Sequence, residues 1–405
     1  MVVKESDKIN TQLERYSPLM IPRLMRAHYR AKPKEPLHLS GEPSTVKSAF
    51  AYQESQEIAK DEQREFFDWN RESLERKQWA LANPEKVYIF ADVRASETDI
   101  GELRLQDIKS SDEYITFKYN LLFKVLSNAQ AKGTLFLDEM NLAPNMIKAQ
   151  FYKLVNDRCI GDIPLSEGVL VMSAGNEAEH ARGVTEDPIP LVLRRANYFI
   201  RPLSAEEYVD WANTVGHHQF VTGYLGFQPG DIHKIEYDVQ EGSGQPCART
   251  WTKLSNILTN NREIEKDEEM VRMVANGLVG KGVATKFHAY IKAAKKVDLD
   301  SIIKNPKLIS AYEDDESNIS LVYAIIAGVV DKFRTDKKVL KPAFEMSLHI
   351  RRTELGAYML RALKNADEKA FFKAGGSDKI VDDDTAKAVV QRYAKFMFDK
   401  QIHNC

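Results

Sequence analysis

Residues 133–176 read GTLFLDEMNLAPNMIKAQFYKLVNDRCIGDIPLSEGVLVMSAGN, and two apolar runs in this stretch end in polar groups. Thr134 to Leu137, opened by Gly133, predicts a strand that closes on the acids Asp138 and Glu139. Val169 to Ala174 predicts a second strand, closed by Gly175 and Asn176. Ile147 to Val155 between them carries helical spacing. Strand, helix, strand is the repeating unit of a parallel sheet covered by helices.

The same alternation extends outward. Leu37-His38-Leu39-Ser40 predicts a strand ending at Gly41, and Ser48 to Ala59 a helix. Lys86 to Val93 and Tyr198 to Ile200 predict two more strands, so the fold class expected is α/β with a five-stranded parallel sheet. Lys60 to Asn83 is densely charged with Trp and Phe interspersed, and predicts a helical insertion. Phe117 to Lys132 predicts an amphipathic helix. Upstream, Leu13, Tyr16, Met20 and Leu24 follow helical spacing interrupted by Pro18 and Pro22, which predicts a helix pair or a kinked entry. From Ser204 onward the strand signal fades and helical periodicity takes over. Gln228 to Pro246 and Gly375-Gly376-Ser377 predict breaks. The expected organisation is an N-terminal helical segment (1–35), an α/β core (36–203, with the insertion at about 60–84), a helical lid (204–263) and a helical C-terminal region (264–405).

The chemistry follows from what stands at the strand ends. Gly41-Glu42-Pro43-Ser44-Thr45-Val46-Lys47-Ser48 lies between a strand and a helix and matches G-x-x-x-x-G-K-[ST] except at Val46, where glycine is usual; Ser44 also replaces a common glycine. In such a loop backbone N–H groups cradle phosphates, Lys47 reaches the β/γ oxygens and Ser48 holds Mg²⁺. Val46 restricts the backbone and crowds the phosphate approach. Asp138 stands where an acid holds Mg²⁺, Glu139 where it activates the attacking water, and Asn176 where an amide orients that water. Arg194 and Arg195 precede the last strand, and Arg249 opens a helix in the second half; guanidinium groups suit the charge that develops on a transferred phosphoryl group.

Composition excludes some classes of function. The chain has 57 basic and 59 acidic residues, so bulk charge gives no case for nucleic acid. The one basic cluster, Arg23 to Lys34, reads as a solvated helix face. Cys159, Cys247 and Cys405 are too widely spaced for a metal site and fit a reducing compartment. The N-terminal MVVKESDKIN lacks an apolar signal region, and Ile319 to Val330 is too short to span a bilayer; the expectation is a cytoplasmic protein without membrane contact. His180 and His217-His218 lack a ligand-spaced partner, and the four tryptophans fall in helical segments as packing anchors.

The stretch 133–184 resembles the Walker B to sensor 1 region of MoxR-type AAA+ ATPases, in which D-E-[LIM]-N-x-A-P precedes a helix, an R-x-I-G hairpin and a strand ending G-N. PCARTWTKLSNIL resembles that family's P-R-[ST]-W sensor 2 helix, and NGLVGKGVATKFHAYI a helix that follows it. The resemblance covers about Arg23 to Ala293. It implies a P-loop NTPase core followed by an all-helical AAA+ lid, with ATP and Mg²⁺ as cofactors. It makes Lys47 and Ser48 the Walker A pair, Asp138 the Mg²⁺-site acid, Glu139 the catalytic base, Asn176 sensor 1 and Arg249 sensor 2. It also makes Asp157 to Ser166 a hairpin and Arg195 the arginine finger, with Arg194 its rival. The family implies a hexameric ring that remodels a protein client, often with a von Willebrand A-type partner. A weakly hydrolysing nucleotide-binding scaffold and a motor on nucleic acid are the alternatives.

Overall fold

The computed structural model describes residues 14–32, 34–107, 116–177, 187, 189–236, 244–372 and 381–398. MVVKESDKIN, Leu13, His180, Gly375-Gly376-Ser377 and Cys405 lie outside them. The chain divides into two units, Met1–Pro202 and Leu203–Cys405.

In the first unit the strands are β1 (Arg15–Tyr16), β2 (Leu37–Gly41), β3 (Glu65–Asp68), β4 (Val87–Arg94), β5 (Arg104–Gln106) and β6 (Phe117–Tyr119). Then come β7 (Lys132–Asp138), β8 (Cys159–Ile160), β9 (Ile163–Pro164), β10 (Val169–Gly175) and β11 (Ala196–Ile200). A parallel seven-stranded sheet has the order β1-β11-β2-β10-β7-β4-β3. Its five central strands are the ones the sequence predicts; short β1 and β3 extend it at the edges. Alternation sorts the side chains between two cores. Leu135, Leu137, Val169 and Val171 face one cluster, and Phe136, Leu170, Met172 and Ala174 the other. Helices Ile21–Arg30 and Lys47–Asp61 cover the second cluster. With both faces covered, every residue of β10 is buried.

β2 lies between β10 and β11, so chain order reverses across it. In open α/β sheets ligands bind at the carboxyl ends of strands beside such a reversal. Gly41, Asp138 and Gly175 are the last residues of β2, β7 and β10.

Three segments differ from the sequence expectation. The segment read as a helical insertion contains β3, because Phe67 is fully buried in one core while Phe66 packs on Tyr52 and Phe90 on the other side. Helix Leu74–Ala82 follows, capped by Ser73. Between Phe117 and Lys132 only Leu121–Leu126 is helical: Asn120 caps it, β6 pairs with β5 before it, and a turn at Asn128 leads into β7. At the N-terminus Pro18 opens a 3₁₀ turn and Pro22 sits in the first turn of Ile21–Arg30, where no backbone donor is needed, so Pro22 starts a helix and does not kink one. The hairpin within 157–166 is formed by β8 and β9.

The elements among the described residues of the second unit are all helices. Ser204 and Glu207 form a capping box at its first helix, Ala205–Val215. Helix Ala248–Asn260 packs on Glu268–Ala294, and Gln219–Phe227 on Ile319–Thr335. Ile319–Thr335 buries Val322, Ile325, Ile326, Val329 and Val330. Among the described residues no helix is long and apolar enough to cross a membrane.

Candidate functional site

The loop after β2 keeps a glycine-type backbone with little glycine. Gly41 must lack a side chain, because a Cβ there would meet Ile200 O at 2.3 Å. Ser44 (φ 64°) and Val46 (φ 55°, ψ 20°) are both left-handed. For a β-branched residue this is an outlier that costs about 1–2 kcal/mol. The loop holds itself in this shape: Thr45 Oγ1 donates to Glu42 O at 2.9 Å. Val46→Gly removes the steric strain and returns part of the gain as glycine's extra chain entropy, so a net stabilisation of about 1 kcal/mol is expected. Chemical denaturation midpoints measure it; a lower midpoint for the glycine variant would contradict the strain.

The Lys47 ammonium is buried inside this loop, 7% exposed. It donates to Gly41 O and Glu42 O at 3.0 Å and to Thr45 Oγ1 at 2.9 Å. Next to it Ser48 Oγ donates to Asp138 Oδ2 at 2.8 Å, which joins the loop to the end of β7. Asp138 Oδ1 accepts from Glu139 N at 2.9 Å, and Glu139 takes a left-handed backbone (φ 53°) that turns its side chain out of strand register. Ser96 Oγ donates to Glu139 Oε2 at 2.5 Å. Beside β7, burial and the nearby Asp138 carboxylate push the Asp92 carboxyl up to about 6. Asp92 also lines a cleft of about 590 Å³ with Tyr52, Asp68, Asn70 and Arg94.

At the end of β10 the Asn141 side chain pairs with the backbone of Asn176: its Nδ2 donates to Asn176 O, and its Oδ1 accepts from Asn176 N at 3.3 Å. Gly175 makes room for it, since a Cβ there would lie 2.8 Å from Asn141 Oδ1. Lys148, 3% exposed, fixes Asn141 from behind by donating to its carbonyl at 2.8 Å. On the other side Arg15 makes a bidentate pair with Glu177, both distances 2.7 Å.

The arginine pair separates by environment. The Arg195 side chain is 2% exposed and ion-paired to Asp187 at 2.5 Å. It also contacts Asn197 Oδ1 at 3.0 Å and Met140 Sδ at 3.7 Å. Arg194 is exposed. Arg195, the one preferred from the sequence as the finger, holds a buried carboxylate, whereas Arg194, its rival, reaches solvent. Arg249 is exposed on the first turn of Ala248–Asn260 in the second unit, where Trp251 is fully buried and donates to Asp231 O at 2.9 Å. Burial, with Arg334 nearby, lowers His217 to about 4, and Tyr208 OH lies 3.1 Å from its Nδ1; this is a packed neutral histidine.

Sequence reasoning left Ser96, Asp92, Arg15 and Glu177 without a role, and read Asn141 only as part of a motif. Of these only Asn141 sits in a recognisable pattern; Glu177 follows Asn176 in the chain, and the others reach this end of the sheet through strand order. The first unit is an α/β fold whose parallel sheet brings the loop after β2 and the ends of β7 and β10 together.

Ser48 and Asp138 offer hard oxygen donors of the kind that suit Mg²⁺, which keeps several waters and needs few protein ligands. Among the described residues no group of three or more His, Cys, Asp or Glu side chains could hold a metal by itself. No family model matches the chain, and no curated protein matches it. Among solved structures it is similar to the FIGL-1 AAA domain in complex with ADP, at 16% identity over 73% of this chain and 88% of that one, with a TM-score of 0.30. The RuvB P216G mutant of Thermotoga maritima matches at 9% identity over 77% and 82%, TM-score 0.30. PCH-2 of C. elegans matches at 11% identity over 79% and 67%, TM-score 0.27. Overlaps at this level neither name a family nor carry a function.

Proposed function

We propose that this chain is a AAA+ ATPase of the MoxR type that binds Mg-ATP on the loop Gly41–Ser48 and hydrolyses it between copies of itself. The observation that carries the reading is the 2.8 Å bond between Ser48 and Asp138, which brings a phosphate-type loop and an acidic strand end to one point. In this reading Lys47 exchanges its loop oxygens for the β/γ phosphate oxygens. Ser48 and Asp138 hold Mg²⁺, which when bound neutralises phosphate charge. Glu139, released by Ser96, takes a proton from the water that attacks the γ-phosphorus, Asn176 orients that water, and the bond from the γ-phosphorus to the β–γ bridging oxygen breaks as ADP leaves. Arg194 enters from a neighbouring copy, and Arg249 is proposed as the second guanidinium. Assembly is proposed as a hexameric ring acting on a protein client, with a von Willebrand A-type partner.

Two rival readings have their own observations. The three oxygens already held by Lys47, with the strain at Val46, favour a scaffold that binds nucleotide and turns it over slowly. The exposed Arg23 and Arg30 favour a nucleic-acid motor, although Arg26 beside them is taken by Glu54 and Asp61. Phosphate release from Mg-ATP by the purified chain, with and without DNA, separates the three. Turnover of about 1–10³ s⁻¹ that ignores DNA is the result expected. Tight binding without turnover selects the scaffold, and salt-sensitive stimulation by DNA selects the motor.

A further inference from the structure

Arg15 and Glu177 lie far apart across the sheet. In the register of β1, β11, β2 and β10, Arg15 stands opposite Phe199, Phe199 opposite Ser40, and Ser40 opposite Gly175. Three strand spacings put the Arg15 and Gly175 backbones about 14 Å apart. The arginine nevertheless meets the carboxylate two residues past Gly175 with both nitrogens at 2.7 Å. The Glu177 side chain is 8% exposed and that of Arg15 28%. A carboxylate this buried is costly unless paired, so the pair dictates where residue 177 sits.

Residue 177 follows Asn176 directly. Asn176 is thus held from two sides, by Asn141 through its backbone and by Arg15 through its neighbour. Arg15 belongs to a segment with a second attachment. The helix that follows, Ile21–Arg30, packs on Lys47–Asp61, and Arg26 Nε meets the buried Glu54 Oε1 at 2.5 Å. One short N-terminal segment therefore touches both the strand end that carries Asn176 and the helix that begins with Lys47.

We infer that Arg15 and Glu177 are positioning residues for Asn176, and that the N-terminal strand is a working part of the nucleotide site. The inference rests on the ATPase reading for its kinetic consequence. Its structural half, that Arg15 fixes the backbone at Asn176, stands independently.

The test uses the full chain with Arg15→Ala, Arg15→Lys, Glu177→Gln and the swap Arg15→Glu with Glu177→Arg. Two readouts are taken: amide hydrogen exchange over residues 174–177, and kcat and KM for Mg-ATP. In Arg15→Ala, exchange at 174–177 is expected to rise at least tenfold while the loop 41–48 keeps its protection. A displacement of about 1 Å at a catalytic group costs up to about 10²-fold, so kcat is expected to fall by about 10- to 100-fold with KM within about twofold. Arg15→Lys keeps the charge without the fork and is expected to be intermediate; the swap is expected to recover most of the loss. Where Arg15→Ala fails to fold, Arg15→Lys and Glu177→Gln carry the same comparison. Unchanged exchange at 174–177 in folded variants overturns the inference, as does a lowered Tm with kcat within twofold of wild type. If the wild-type chain has no turnover, the ATPase reading fails, and the exchange readout still decides whether Arg15 holds Asn176.

Discussion

Glu139→Gln is expected to lower ATP turnover by about 10²–10⁴-fold while Mg-ATP stays bound. The glutamine keeps the size of the side chain and its acceptor oxygen toward Ser96, but it takes no proton from the attacking water. Asp138 and Ser48, which are proposed to hold the metal, are unaltered, so affinity should be kept. The left-handed backbone at Glu139 is set by the turn and by Asp138 Oδ1, not by the carboxylate of Glu139, so folding should be unchanged. Single-turnover phosphate release with parallel binding measures both halves. Turnover within tenfold of wild type would remove Glu139 as the base.

The second large effect separates two adjacent arginines. Arg194→Ala is expected to lower kcat by about 10³-fold or more, the loss typical when a guanidinium no longer meets the transferred phosphoryl group. Folding should be intact, because Arg194 is exposed. Arg195→Ala is expected instead to cost about 3–5 kcal/mol of stability, since it strands the Asp187 carboxylate, 9% exposed, without its partner. Mixing decides whether Arg194 acts in trans. Arg194→Ala and Glu139→Gln chains are each nearly inactive alone. Mixed assemblies contain some interfaces with an intact Glu139 on one side and an intact Arg194 on the other, so part of the turnover should return. No recovery in verified mixed assemblies would place Arg194 outside the neighbour's site.

The strand ends were legible because their residues close apolar runs. Asp138, Glu139 and Asn176 close strands that are buried on both faces, and such runs are visible in a single sequence. The α/β class and its five central strands follow from the same signal. The edge strands were not legible. β1 is two residues long and β3 lies among charges, so both are strands only because a neighbouring edge is available to pair with. The second structural surprise is at Val46. Sequence marks it as a departure from glycine, yet the backbone there is left-handed as a glycine's would be, because strand, helix and the Thr45 bond fix the loop around it. The difference between Arg194 and Arg195 was equally closed to sequence: Arg194 is exposed, and Arg195 is buried against Asp187 and Met140. Asn141, Ser96 and Arg15 act over 35, 43 and 162 residues, separations at which no local pattern exists.

The central claim is that the loop Gly41–Ser48 holds a nucleotide through the Lys47 ammonium. Isothermal titration of Mg-ATP into the purified chain and into Lys47→Ala tests it most directly. The expected result is saturable binding, one ATP per chain, that weakens by at least about tenfold when Lys47 is removed, which corresponds to about 1.4 kcal/mol or more. Absence of binding to the wild-type chain, or equal affinity in the two proteins, would contradict it.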